Sequence, residues 1–276
     1  MTPEEEIVTS RANPLFKRLL ALKKRGVAPE GDLCLLEGPK LLDEALAAGA
    51  RIVDVAVAAG AEERPATAKS LDALRKRGVP VRRLTKRLLA SVSDAETTQG
   101  VLALAVRPEL DEARLFDGTP LIVVAVGIQD PGNLGGLLRT AEAAGASGAY
   151  LCEGCADPFS WKALRGSMGS AFRLPLVRGL AVGVVLDRLG DRAVPALATT
   201  VDAETRYDRA DLRSAVALVF GSESAGLPQQ VARRAHARLR VPIARAVESL
   251  NVGVAAGLLL FEAARQRGFP PAGGER

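Results

Sequence analysis

Three stretches in the second half of the chain carry residues whose types and spacing could do chemistry. The first reads QDPGNLGGLLRTA over residues 129–141. Its Pro-Gly turn leads to Asn133, which reads as the N-cap of a helix. Gly135 and Gly136 in the first turn of that helix cost about 1 kcal/mol each relative to alanine, which implies that something approaches the backbone closely there. Leu134, Leu138 and Ala141 mark a buried stripe, while Gly135, Arg139 and Glu142 share another face at helical spacing. Arg139 thereby projects over a glycine-lined turn, a place for a phosphate or a sugar. The second stretch, VFGSESAGLP over 219–228, ends a buried strand in a loop of small residues with one carboxylate, Glu223. The third, VPIARAVESLNVGVAAG over 241–257, offers Ser249 or Asn251 as a helix cap, followed by small residues that permit close backbone packing. Taken singly, an ordinary helix start, a tight turn and a packed cap account for all three.

Several familiar chemistries are excluded by spacing. No GxGxxG is present, so the glycines do not form a dinucleotide fingerprint. Two residues separate Gly221 from Ser224, which breaks GxSxG, and a single histidine leaves little room for a Ser-His-Asp triad. A Walker loop would need Gly-Lys-Ser/Thr. Cys152 and Cys155 form a CxxC, but zinc needs two more ligands, and Cys34 and His236 stand isolated. Two thiols flanking a turn, without metal, is the expectation.

Elements that must position these residues follow from the alternation of β-branched runs with helical patterns, the signature of an α/β chain. Asn13-Pro14 starts a basic amphipathic helix that ends at Gly26. Strands are expected at 33–36, 52–58, 79–84 and 101–106, and helices at 39–48, at 66–77 and from Lys86. Residues 108–120, acidic and bracketed by prolines, read as a linker between a domain at 1–107 and one at 121–276. In the second domain, strands are expected at 121–126, 149–152, 172–176, 194–199, 215–220 and 239–243, with a last helix over 251–266. The uninterrupted apolar run at 121–126 is of the kind buried in a parallel sheet. In such sheets ligands sit beyond the carboxyl ends of the strands, which points to the loops after Val126, Thr199, Phe220 and Ile243.

Charge separates the two halves. The chain of 276 residues carries +5 overall, with 18 Lys/Arg against 14 Asp/Glu in residues 1–108 and 19 against 18 beyond them. Three basic runs (Lys17, Arg18, Lys23, Lys24, Arg25; Arg75, Lys76, Arg77; Arg82, Arg83, Lys86, Arg87) are jointly better read as a phosphate-binding surface than as solvated helix faces. Only ten aromatic residues are present, so a bound nucleic acid is held mainly by charge and shape. The opening MTPEEE lacks a basic region followed by an apolar core, and 252–261 is too short to span a bilayer. With an odd number of cysteines, this points to a reducing, cytoplasmic setting.

In order and spacing, the three chemical stretches resemble the three motifs of the SpoU/TrmH family of RNA 2′-O-ribose methyltransferases, within the SPOUT superfamily. The resemblance covers residues 119–266. TSRANP over 9–14 and LLEGPK over 35–40 resemble the family's small N-terminal α/β RNA-binding module, itself similar to certain ribosomal proteins. The resemblance implies a C-terminal parallel sheet with a deep trefoil knot, an exception to the rule against knots, a homodimer through that domain, and S-adenosylmethionine as methyl donor. Thr199, Gly221, Val241, Ile243 and Leu250 would lie on the donor. Arg139 corresponds to the catalytic arginine, and Asn133, Glu223, Ser249 and Asn251 to the other characteristic polar positions. Arg11, Lys17, Lys23, Lys24, Arg25 and Lys40 would face the RNA. Arg245 stands where the family usually has glycine, and Gly253 where a serine is frequent.

A guanidinium does not readily give up its proton. Arg139 is therefore better suited to orient the ribose and stabilise developing charge while a substrate phosphate relays the proton. The separate basic module favours ribosomal over transfer RNA. Two other readings share the fold: a non-catalytic RNA-binding or assembly protein, and an RNA base methyltransferase.

Overall fold

A computed structural model describes residues 7–26, 32–93, 98–109, 111–222, 225–244 and 247–269. The chain divides into two compact units, Met1–Glu109 with Phe159–Phe172, and Leu110–Pro158 with Arg173–Arg276.

The first unit runs α1 (Pro14–Arg25), β1 (Leu33–Glu37), α2 (Pro39–Ala47), β2 (Ile52–Ala58), α3 (Pro65–Lys76), β3 (Val81–Leu84), α4 (Lys86–Val92) and β4 (Val101–Val106). Its sheet has the order β1-β4-β2-β3, with β4 antiparallel to both neighbours and β2 parallel to β3. Asn13 caps α1 by accepting from the Leu15 and Phe16 amides, and Gly26 ends it at φ 69°. That angle belongs to the left-handed region which glycine enters freely. Leu15, Phe16, Leu19 and Leu22 bury the apolar face of α1, leaving Lys17 and Lys24 exposed. Helices α1 and α4 pack on each other, and α2 packs on α3.

The second unit begins with a short 3-10 turn, Glu112–Phe116, followed by β5 (Leu121–Ala125), α5 (Pro131–Ala143) and β6 (Gly148–Cys152). Helices α6 (Trp161–Ser167) and α7 (Ser170–Arg173) come next in the chain. Then follow β7 (Leu176–Leu180), α8 (Val182–Asp191), β8 (Ala196–Thr199), β9 (Thr205–Arg206), β10 (Val216–Phe220), α9 (Gln229–Arg234), β11 (Ala237–Arg240) and α10 (Val252–Gln266). The sheet has the order β7-β6-β5-β10-β8-β11-β9 and all its pairings are parallel. All of β5 and β10 is buried, as the uninterrupted apolar runs predict.

Three expectations need correcting. The strand expected at 172–176 is instead α7 followed by β7, beginning at Leu176. Met168 and Gly169 take φ of 47° and 89°, which closes α6. Phe172 then buries itself edge-on against Phe159, with ring centroids 5.7 Å apart, so its apolarity serves helix packing rather than a strand. The strand expected at 239–243 runs from Ala237 to Arg240, because Pro242 has no N–H with which to continue the ladder. Residues 111–118, read as a linker, pack on the second unit instead. Leu115 is fully buried in that unit's core, and Glu112 accepts from the Tyr150 hydroxyl and from Arg188, both at 2.5 Å.

Candidate active site

Because the strands of the second sheet run the same way, the carboxyl ends of β8, β10 and β11 gather at one edge. A cavity of about 390 Å³ opens there, within the roughly 300–1,000 Å³ typical of small-molecule sites. Thr199 at the end of β8, Gly221 after β10, Val241 and Ile243 after β11, and Ser249 and Leu250 before α10 all line it. The five residues expected on the methyl donor are thus brought to one cavity, with Ser249 beside them. Pro242 is the local cause on one wall, since the early end of β11 releases Val241 and Ile243 from the sheet.

The rim of the cavity is sterically specified. A Cβ on Gly221 would collide with the backbone of Gly226 and Leu227. The Gly226 amide donates to the Ser222 carbonyl at 2.9 Å, and the Ala225 amide to Ser222 Oγ at 3.1 Å, folding the loop back on itself. The Thr199 hydroxyl donates to the Val219 carbonyl at 2.6 Å, so its proton is committed to tying β8 to β10. Glu223 and Arg245 lie outside the described residues.

Asp130, not Asn133, caps α5: its Oδ1 accepts the Asn133 amide at 2.8 Å. Pro131 supplies the preset φ of a first helical position, so the cap must precede it. The Asn133 side chain instead accepts from Asn251 Nδ2 at 3.1 Å. Of the two candidates for the last helix, Asn251 is the cap, accepting from the Gly253 and Val254 amides. These two asparagines join the starts of α5 and α10, which pack together.

Arg139 is exposed on α5 and makes no ion pair among the described residues. Neither it nor Asn133 or Asn251 lines the 390 Å³ cavity. The close approach inferred from the paired glycines is not made at Gly136 by the chain itself, for a Cβ there would meet nothing within 4 Å. Sequence reasoning missed Thr200, Val201, Ser222, Gly226 and the charged Glu248 as cavity walls; adjacency to singled-out residues was the available signal.

Cys152 is buried, and burial, then the neighbouring Cys155 and Glu153, push its thiol up to about 12. It therefore stays protonated, and Cys155 donates its own S–H to the Ala125 carbonyl at 3.3 Å. Among the described residues no group of three or more His, Cys, Asp or Glu could hold a metal ion, and no helix is long and apolar enough to cross a membrane.

In the first unit Arg11, Lys17, Lys24 and Lys40 are exposed, while Lys23 Nζ donates to the Ser93 carbonyl at 3.1 Å. Of Arg25 only the backbone is described. Other cations of the basic runs serve the fold: Arg18 and Arg82 lie 3.5 and 3.7 Å from the buried Asp54, and Arg83 pairs with Glu62 at 2.8 Å.

The pattern of the SpoU rRNA methylase family matches residues 120–261, and that of an MRM3-like substrate binding domain matches residues 13–103. An uncharacterized tRNA/rRNA methyltransferase of Synechocystis is 34% identical, over 97% of this chain and 96% of the relative. The 23S rRNA (guanosine-2′-O-)-methyltransferase RlmB of Xylella fastidiosa is 38% identical over 70% of this chain and 80% of its own. The solved structure of an AdoMet-bound rRNA methyltransferase from Sinorhizobium meliloti superposes with a TM-score of 0.81 at 32% identity, covering 94% of this chain and 97% of that one.

Proposed function

The chain belongs to the SpoU rRNA methylase family, and on that premise we propose that it transfers a methyl group from S-adenosylmethionine to a ribose 2′-hydroxyl of ribosomal RNA. The observation that carries this reading is the cavity at the carboxyl ends of β8, β10 and β11, walled by Thr199, Gly221, Val241, Ile243 and Leu250. Apolar side chains and glycine backbone suit a nucleoside, and the hydroxyls of Thr199 and Ser249 with the Glu248 carboxylate at the wall offer polar partners to its attached, cationic amino-acid tail. When bound, the sulfonium supplies an already activated methyl group. The chain's own task is to hold the acceptor hydroxyl in line and assist loss of its proton. Arg139 binds and orients the ribose and stabilises the developing oxyanion, with the substrate phosphate relaying the proton. Asn133, Asn251, Ser249 and Glu223 complete the polar surround.

Two finer features belong to the same proposal. The chain is knotted around the cavity, a reading supported by the match of residues 120–261 to the SpoU family pattern. It works as a homodimer through its second unit, in the cytoplasm. Val254, Leu258 and Phe261, spaced four and three apart on α10, are 53, 38 and 44% exposed, an apolar stripe of the kind that marks an interface. Arg139 lies on the helix that α10 packs against, and pairing through α10 supplies the cavity with the arginine its own walls lack.

Mapping 2′-O-methyl sites in total RNA with and without the gene tests the reaction: loss of one ribosomal site is expected, and an unchanged map refutes it. Calorimetry should show S-adenosylmethionine binding without a divalent ion. Sedimentation showing an active monomer at micromolar concentration would refute the dimer.

A further inference from the structure

We propose that Trp161 is a stacking platform for an unpaired base of the substrate RNA. The proposal rests on the reading that the first unit grips RNA, and it adds a base-stacking ring to what is otherwise a charged surface.

Trp161 is the chain's one tryptophan. It opens α6, within the stretch Phe159–Phe172 that clusters with the first unit. Burial of α6 falls to Ala163 and Leu164, both fully buried, whereas the indole stays partly exposed. Its orientation is nonetheless fixed from two sides. The ring N–H donates to Glu37 Oε2 at 2.9 Å, and the Arg165 guanidinium carbon lies 4.8 Å from the ring centroid. Glu37 is itself held, its Oε1 accepting from Ser93 Oγ at 2.5 Å. The Ser93 carbonyl in turn accepts from Lys23 at the end of α1. The indole therefore sits at the margin of the α1–α4 layer. Together α1 and α4 carry seven Lys/Arg and no carboxylate, while α2 and α3 mix both signs.

Single-stranded loops are recognised by splaying a base onto an aromatic ring or a guanidinium plane beside phosphate-binding cations. Such a platform works best when its rotamer is fixed before binding, because less entropy is then lost on association. A tryptophan serving only to pin α6 to β1 needs the N–H bond to Glu37 and no exposed ring. The partly exposed, arginine-backed indole is what stacking requires.

Since there is one tryptophan, its emission in the full-length protein reports this position alone. Titration with a short RNA hairpin bearing an unpaired loop should quench that emission, and a blunt duplex of equal length should quench it less. Trp161→Ala should weaken hairpin binding roughly 5- to 100-fold with the salt slope unchanged, because every phosphate-binding cation remains in place. Trp161→Phe separates the two roles: it can stack but cannot donate to Glu37, and should keep most of the affinity. The proposal is overturned if the hairpin binds without changing the emission, or if Trp161→Phe loses as much as Trp161→Ala at an equal thermal midpoint. If the wild-type protein binds no RNA at all, the reading of the first unit falls, and this proposal with it.

Discussion

The two units offer partners opposite kinds of surface. The first presents helices, and its α1–α4 layer is uniformly cationic. The second is close to neutral and holds the cavity of about 390 Å³ together with an adjoining one of about 640 Å³ that shares Thr199 and Gly226. The contrast follows from strand direction. A wholly parallel sheet lines up its carboxyl ends, so several loops converge and enclose a volume. The first sheet, with β4 antiparallel to both neighbours, distributes its loops to both ends and is left to work through helix faces. Chemistry is thus built where strand ends converge, and polyanion binding where helices can be covered in charge.

If the division is right, the largest effect comes from the one charged catalytic candidate described on the second unit. Arg139→Ala should lower methyl transfer by about 10²–10³-fold, the loss typical of removing one oxyanion-stabilising group. Stability should stay within about 0.5 kcal/mol, since the exposed side chain leaves no cavity. Transfer of labelled methyl groups together with a thermal melt checks both, and near-normal turnover would remove Arg139 from the mechanism. Next comes Gly221→Ala. The added methyl collides with the backbone of Gly226 and Leu227, so the rim must open. Calorimetry should show S-adenosylmethionine affinity reduced by about tenfold or more, a loss near 1.4 kcal/mol, with RNA affinity unchanged.

Much of this was legible in the sequence, for identifiable reasons. Strands β2 and β4 match their expected limits because their apolar runs are bounded by glycine and polar turns. The cavity walls were legible through the resemblance to the SpoU/TrmH motifs, while the strand pattern alone pointed to the loops after Thr199, Phe220 and Ile243. What stayed hidden depends on long-range packing. Leu115 looked like part of a polar linker, since one leucine among acidic residues carries no periodicity, yet it fills the core between β6 and α8. Phe172 looked like a strand residue because a short apolar run has no phase of its own. The α6 segment gave no sign that it belongs with the first unit, because the bonds that hold it there reach back 124 residues, from Trp161 to Glu37.

A smaller effect is expected from the first unit's charges. Lys17, Lys24, Lys86 and Arg87 are exposed on the α1–α4 layer. Reversal of all four to glutamate should weaken RNA binding and flatten its salt dependence by roughly 0.7–0.9 in log–log slope for each phosphate no longer neutralised. Reversal of Lys69 and Lys76 on α3 should do less per charge reversed, because that layer already contains carboxylates. S-adenosylmethionine affinity should be untouched in both. An equal response per reversed charge from the two layers would mean that RNA is drawn by net charge and not by one face.

The smallest effect distinguishes the units through stability alone, using two carboxylates whose pKa values move in opposite directions. In the second unit, burial works to raise Glu112, but hydrogen bonds from Tyr150 and Arg188 and the charges of Arg188 and Arg192 outweigh it. Its folded pKa therefore lies below the ordinary value of 4.5. A lowered pKa means that the folded state binds fewer protons than the unfolded one, so Glu112 contributes stability above about pH 4.5 that fades as pH falls. In the first unit, burial raises Asp54 above 3.8 in spite of Arg82, Arg18 and the Val55 amide. Its folded state binds the proton more tightly, so stability is lost as pH rises through the raised value. Melts of Glu112→Gln and Asp54→Asn between pH 3.5 and 7 should therefore diverge from the parent in opposite senses. As pH rises, Glu112→Gln should fall progressively behind the parent, while Asp54→Asn should gain on it. Parallel curves for the two variants would show that the ion pairs around Asp54 dominate its burial, and that the first unit's cations are as firmly committed to its fold as Arg188 is to the second's.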